Sequence, residues 1–269
     1  MKATLITGAS GGIGKAFAHR LAAEKHNLVL VARSEDKLAS LCDELMVEHE
    51  IMAHYIAVDL TEFQSDTRLF EETEKHGLEI DWLINNAGYG SMGDFVELDL
   101  ENELRIITLN VMALVALTHR YLTKMRQRKS GVIINVSSTA SFQPIPYFAN
   151  YSATKAFVTS FSEALAEENR LHNIRVLNLC PGPTETGFFD ASDITQEAKK
   201  AMASKGVQTA EEVVETAMKA LKNGKTTAVS GWINYIVSIF GNGAPDWMVA
   251  RFMATQLRPK FEKKADKTL

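Results

Sequence analysis

In the stretch Tyr151-Ser-Ala-Thr-Lys155 a tyrosine and a lysine stand four residues apart. On a helix that spacing puts both side chains on one face, one turn from each other. A phenol titrates near ~10 and transfers protons poorly at neutral pH, but a cation beside it favours the phenolate and lowers that value. The pair therefore suits moving a proton to or from an oxygen. Ser138 lies thirteen residues upstream, just past the apolar run Val132-Ile-Ile-Asn-Val136. If that run is a strand, the serine hydroxyl arrives at the carboxyl edge of a sheet. An ordinary surface helix would show the same tyrosine and lysine spacing, so the elements that position the three residues decide between the readings.

Ala3 to Thr7 reads as a short apolar strand, followed by Gly8-Ala-Ser-Gly-Gly-Ile-Gly14 and a helical pattern through Phe17, Leu21 and Ala22. Strand, glycine turn and helix form the setting that a nucleotide-binding loop needs. Gly8, Gly12 and Gly14 let the backbone approach a pyrophosphate held at the positive end of the helix. Thr7, Ser10, Gly11 and Ile13 complete the loop. Leu28 to Ala32 is a second strand, continuously apolar as in a strand buried on both faces. A site specific for NAD places an acid at the end of such a strand. Here Arg33 and Ser34 follow instead. Nothing there repels a ribose 2′-phosphate, and Arg33 can pair with one bidentately; otherwise it is a solvated loop charge.

Residues 35–49 read as a helix, His54 to Val58 as a third strand closed by Asp59-Leu60, and Trp82 to Asn85 as a fourth ending in Asn86-Ala87-Gly88. The Asp59 carboxylate either accepts from an adenine amino group or caps the next helix. Residues 100–127 form a long helical pattern in which Asn110, among apolar neighbours, calls for a partner if buried. Ile174 to Leu179 is a sixth strand ending in Cys180-Pro181-Gly182, with Cys180 read as a small buried hydrophobe. Residues 183–205, with Thr184, Thr186, Phe188 and Phe189, are aperiodic and read as a lid over substrate. Thr209-Ala-Glu-Glu212 opens a helix with a capping box, and Thr227 to Ser230 is a last strand.

Residues 232–269 form a C-terminal extension. Trp232 to Phe240 is a short apolar stretch, and Trp247 to Leu257 an amphipathic helix with Met248, Val249, Phe252, Met253 and Leu257 on one face, followed by Lys260, Lys263, Lys264 and Lys267. Membrane-surface contact is one reading. A helix packed over the substrate pocket with a solvated end is the expectation adopted.

Strands alternating with helices predict a single α/β domain over 1–269, a doubly wound parallel sheet of about seven strands with helices on both faces. The chain is 46% hydrophobic and 23% charged with net charge −4, so neither nucleic acid nor anionic membrane is expected as a partner. Two cysteines make no disulfide framework and fit a reducing, cytoplasmic setting. No signal peptide is expected, and no apolar run reaches the ~18 residues of a membrane span. His49, Glu50 and His54 resemble a zinc motif, but the second histidine comes one residue too late, and no metal is expected.

With Thr7-Gly-Ala-Ser-Gly-Gly-Ile-Gly14, Asn85-Asn-Ala-Gly88, Asn110, Ser138, Tyr151-x-x-x-Lys155 and Pro181-Gly182 in order, the chain resembles the short-chain dehydrogenase/reductase family over roughly residues 1–230. The resemblance implies that Tyr151 is the general acid/base, that Ser138 holds the carbonyl oxygen, that Lys155 binds the nicotinamide ribose, and that Asn110 anchors a relay water. It implies NADP(H) as cofactor, with Arg33 matching NADP-using members and Thr186 the threonine near the carboxamide. It also implies a homodimer or homotetramer built on the helices around 100–127 and 152–172, with Phe161 and Leu165 as candidate contacts. The tail resembles, weakly, bacterial members grouped with 3-oxoacyl and steroid reductases.

The expected activity is interconversion of a carbonyl and an alcohol. Ala140, Phe142, Ile145, Tyr147, Phe148, Phe188, Phe189, Trp247, Phe252 and Met253 suggest an apolar substrate, although Phe148 reads better as core. The other readings are a non-catalytic NADP-binding sensor or scaffold and an isomerase or epimerase using the same tyrosine. Turnover of NADPH with a carbonyl panel separates them.

Overall fold

Continuous apolar strands must be covered on both sides, and the helices between them supply the cover. A computed structural model describes residues 1–186, 207–243 and 245–261. Among these residues, β1 (Lys2–Thr7), β2 (Leu28–Ala32), β3 (Ala53–Ala57), β4 (Glu79–Asn85), β5 (Gly131–Val136), β6 (Ile174–Cys180) and β7 (Thr227–Val229) form one parallel sheet. Its order is β3-β2-β1-β4-β5-β6-β7, so the winding reverses between β1 and β4.

The described helices are α1 (Gly12–Ala23), α2 (Glu35–His49), α3 (Ser65–Lys75), α4 (Leu100–Ile107), α5 (Leu114–Arg128), α6 (Ala149–Asn169), α7 (Ala210–Lys222), α8 (Trp232–Gly243) and α9 (Asp246–Phe261). Phe17, Leu21, Leu38, Leu45, Val213 and Leu221 pack α1, α2 and α7 on one face. Leu69, Leu117, Tyr121, Met125 and Ala166 pack α3, α5 and α6 on the other. The Thr209 capping box is formed, with Thr209 Oγ accepting from Glu212 N and Glu212 Oε from Thr209 N.

The expected helix over 100–127 is broken in the middle. Thr108–Ala113 is a π-helical turn between α4 and α5, and Asn110 sits in it. Such a turn adds a residue to the helix and often re-aims a functional side chain. By length and composition Leu100–Arg128 could cross a membrane, but its inner residues Ile106, Leu117, Tyr121 and Met125 are buried in the core.

The tail also differs from expectation. Trp232 to Phe240 belongs to a full helix, α8. In α9 the partly buried stripe is Val249, Met253, Leu257 and Phe261, while Trp247, Met248 and Phe252 are exposed. The apolar residues of α9 thus form two stripes rather than one. Of the expected lid only 183–186 is described; Phe188 and Phe189 lie outside the described residues.

Candidate active site

Right-handed crossovers bring every strand's carboxyl end to one edge, and the crevice opens where the order reverses. Gly8 leaves β1 and Asn86 leaves β4 at that point. Asn86 Nδ2 donates to the carbonyls of Thr7 and Gly8, at 2.9 and 3.3 Å. Thr7 Oγ accepts from the amides of Asn86 and Ala87 and donates to Ile84 O, so it ties the two strand ends together. A Cβ on Gly14 would lie 2.3 Å from Gly8 O, and one on Gly12 2.9 Å from Thr186 Cγ2. A Cβ on Gly11, by contrast, would meet nothing within 4 Å. The mouth of α1 is therefore a tight glycine cradle opening into free space beside unpaired backbone N–H groups, which fits a pyrophosphate.

Tyr151 and Lys155 lie on the first turns of α6, 7% and 5% exposed. Ser138 ends the loop after β5, where its Oγ accepts from Ala140 N at 3.1 Å, and it also hydrogen-bonds the Tyr151 side chain. Lys155 Nζ donates to Val136 O at 2.9 Å and stands 5.7 Å from the Tyr151 ring centroid. Burial pushes the Tyr151 phenol up to about 12 against the opposing pull of the Ser138 hydrogen bond, and burial brings the Lys155 ammonium down to about 8. The lowering of the tyrosine value expected from the four-residue spacing is not what the protein alone produces. The lysine is aimed at a strand-end carbonyl, and loss of hydration dominates. A phenol that stays protonated is the form a proton donor requires.

Asn110 is 1% exposed. Its Nδ2 donates to Tyr89 O and Thr154 Oγ, and its Oδ1 accepts from Tyr89 N. Its side-chain amide thus pins the 88–90 loop to α6. Gly88 packs so close that a Cβ there would be 2.9 Å from Asn110 Oδ1 and 3.4 Å from Lys155 Nζ.

At the far end of the crevice Arg33 and Ser34 are exposed after β2. Asp59 does not cap α3, whose N-cap is Gln64. Its Oδ1 accepts from Thr61 N and Oγ, and its Oδ2 pairs with Arg105 at 3.0 Å. Leu60 beside it is buried. Past β6, Pro181 O accepts from Thr139 N at 2.8 Å, joining the two strand ends that flank Ser138. Gly182 is crowded by Asn234 of α8, Thr184 bridges to Gln208, and the Thr186 methyl covers Gly12. The structure thus gathers the expected residues along one edge, with Ser10 and Ile13 half-buried in the α1 loop.

Sequence reasoning missed a second layer. Glu103, 3% exposed on α4, accepts from Asn150 Nδ2 at 2.8 Å and from Ser91 Oγ, gripping the residue before Tyr151. An acid at i−3 from the buried Ile106 was the available signal. Beside the tyrosine a cleft of about 260 Å³ is lined by Phe95, Leu98, Pro146, Tyr147, Ala254 and Arg258 among others. Its walls include neither Ser138 nor Tyr151, so it adjoins the proton-transfer residues rather than containing them. Tyr151 itself belongs to an apolar cluster with Met92, Ala140 and Phe148, against which Ile145, Leu257 and Phe261 pack. Phe148 is core, as expected, and stacks on Tyr151 at 4.4 Å.

The zinc-like trio separates: the ring of His54 lies beside His76, whereas His49 groups with Glu48 and His19, whose ligand atoms fall within 4.8 Å of one another. That grouping could hold an ion, away from the crevice.

A doubly wound sheet with a glycine cradle at its switch point and a Ser-Tyr-Lys set beside it, its tyrosine and lysine buried, defines a dinucleotide-dependent oxidoreductase. The short-chain dehydrogenase model matches residues 2–198, and the chain belongs to that family. It is 32% identical to the very-long-chain 3-oxoacyl-CoA reductase of Rattus norvegicus, across 98% of this chain and 83% of the rat protein. Among solved structures it is similar to a short-chain dehydrogenase from Sphingobium yanoikuyae in complex with NADPH, with TM-score 0.78, 31% identity, and 85% of this chain and 87% of that one covered. It is also similar to the bulky-bulky ketone specific alcohol dehydrogenase from Comamonas testosteroni, with TM-score 0.74, 29% identity, and 85% and 86% covered. The protein is an enzyme that interconverts carbonyls and alcohols with a nicotinamide cofactor.

Proposed function

We propose that this enzyme uses NADPH to reduce the ketone of an extended apolar substrate, with 3-oxoacyl thioesters as the best-fitting class. The observation that carries the reading is the apolar cluster around Tyr151, formed with Met92, Ala140, Phe148, Ile145, Leu257 and Phe261. Residues 139–150 contain no arginine or lysine, so an anionic group beside the reacting carbonyl finds no partner there. The names of the rat and Comamonas relatives, a long-chain 3-oxoacyl reductase and a bulky-ketone dehydrogenase, point the same way.

When bound, the nicotinamide supplies the hydride. Ser138 donates to the carbonyl oxygen and stabilises the charge growing there, as in an oxyanion hole. Tyr151, kept protonated by burial, gives its proton to that oxygen. Lys155 holds the ribose and supplies positive charge beneath the phenol, and Asn110 fixes the loop that closes the crevice. Arg33, with no acid at Ala32, favours the 2′-phosphate and hence NADPH. The remaining loop residues, with Asp59, Thr184 and Thr186, line the cofactor's path.

We also infer a homodimer or homotetramer. Leu104, Met112 and Phe157 leave α4, the π turn and α6 with exposed apolar side chains. Phe161 stacks on Phe157, and Leu165, partly buried on the same helix, packs against the core. A monomer in sedimentation at micromolar concentration would remove this inference. Both cysteines are free and buried, which supports a reducing, cytoplasm-facing setting.

The decisive experiment is NADPH consumption along a 3-oxoacyl series of rising chain length, with Tyr151→Phe as control. The value of kcat/KM should climb with length until the pocket fills, at ~0.8 kcal/mol per buried CH₂. The control should lose on the order of 10²–10⁴ in rate while binding NADPH normally. A flat series, or a preference for small polar ketones, refutes the apolar substrate; a fully active control refutes the mechanism.

A further inference from the structure

The substrate side of the molecule carries a rim of exposed apolar side chains. On α8, Trp232 is 74% and Tyr235 55% exposed, with Ile233 and Ile236 also open. On α9, Trp247 is 67%, Phe252 65% and Met248 50% exposed. Across the cleft from α9, Phe95 and Val96 are exposed as well, and Phe95 lines the cleft that Ala254 and Arg258 bound on the other side. Both tail helices are tied to this edge: Asn234 of α8 abuts Gly182, and Phe261 of α9 stacks on Tyr147 at 4.6 Å. Apolar patches of this extent mark an interaction surface.

Charge identifies the partner. The whole chain is acidic, which conceals an opposite local balance. From Gly231 to Pro245 there is no charged residue; residues 246–269 then hold six Lys or Arg against three Asp or Glu, a net of +3, while the rest of the chain carries −7. Arg251 lies between Trp247 and Phe252 on the exposed side of α9. Tryptophan and tyrosine at a boundary, with an arginine beside them and no charge within the apolar stretch, match an anionic bilayer surface, where aromatic rings sit at headgroup depth. A protein partner would need shaped pockets; a bilayer needs only a rim of this chemistry.

We propose that α8 and α9 dock this enzyme peripherally on anionic lipid bilayers, with the cleft mouth toward the lipid. An apolar substrate dissolved in the bilayer would then enter without crossing water, a consequence that rests on the substrate reading above, whereas docking itself does not.

The test mixes the full-length protein with phosphatidylcholine vesicles with and without phosphatidylserine and measures co-sedimentation and tryptophan fluorescence. The wild type should bind the phosphatidylserine vesicles, with a blue-shifted emission, and bind less as salt rises. Trp247→Glu combined with Met248→Glu should weaken partitioning on the order of tenfold or more while NADPH binding is retained, which shows that the variant folds. Wild type that ignores both vesicles, or a folded variant that partitions equally well, overturns the proposal. So does sedimentation in which the double substitution converts an oligomer to a monomer while the wild type fails to bind vesicles; a second copy is then the occupant. Because the readout is partitioning, a failed chain-length series leaves it untouched, and the reverse also holds.

Discussion

Gly90→Ala probes how the loop after β4 holds the proton donor. The backbone at Gly90 is not in the left-handed region, so alanine fits the chain conformation. The added methyl does not fit the space. It would lie 2.6 Å from Tyr151 Cδ2, 2.9 Å from Cγ and 3.1 Å from Phe148 Cε2. Carbon atoms rest at ~3.5–4.0 Å, so ring or loop must give by about 1 Å. The ring cannot retreat freely, because Phe148 stacks on it at 4.4 Å and Tyr151 is buried. Overpacking of this kind costs about 1–3 kcal/mol of stability. A misplacement of about 1 Å at a reacting group costs about 10² in rate. The expected outcome is therefore a folded enzyme with kcat/KM for ketone reduction down about 10²-fold and NADPH affinity nearly unchanged. NADPH consumption under subsaturating ketone, together with direct titration of the cofactor, reads both quantities. A Gly90→Ala enzyme with wild-type kcat/KM would show that the loop does not set the tyrosine's position. An equal loss of NADPH affinity would show that the damage lies in the cradle.

Arg33→Ala should weaken NADPH by about tenfold or more, from loss of a charge-assisted contact of about 1.5–3 kcal/mol, and leave NADH almost unchanged; equal weakening of both contradicts the 2′-phosphate assignment. The folded-state value of Lys155 lies below its unfolded value of 10.5, so its burial destabilises the fold fully below pH 8, and the penalty fades as pH rises from 8 toward 10.5. Lys155→Met should therefore abolish activity yet gain stability relative to wild type at neutral pH, by at most roughly 3 kcal/mol. That gain should shrink with rising pH in denaturant titrations. A difference that does not change with pH refutes the buried-cation account.

The order of elements was legible in the sequence because the central strands are mainly apolar runs, as in Leu28–Ala32, and the helices repeat their apolar residues every three or four positions. Those two periods separate cleanly when a sheet is covered on both faces. The bounds of β2 and α2 and the Thr209 capping box fall where local chemistry puts them. The glycine loop, Asn86, Asn110, Ser138, Tyr151 and Lys155 were legible because they stand in a family's order and spacing, with Asn110 in the π turn, Tyr151 and Lys155 on α6 and the others just past strand ends. Tertiary structure alone decided the rest. The π turn at Thr108–Ala113 exists because buried Asn110 must meet Tyr89 and Thr154, partners distant in sequence. Glu103 became a clamp on Asn150 only when α4 was laid against α6. The four-residue spacing put Tyr151 and Lys155 together, but burial set the direction of their titration. In α9 both stripes contain apolar residues, and a sequence period cannot tell which one a neighbouring loop will cover; packing against Tyr147 selected Phe261 and left Trp247 exposed.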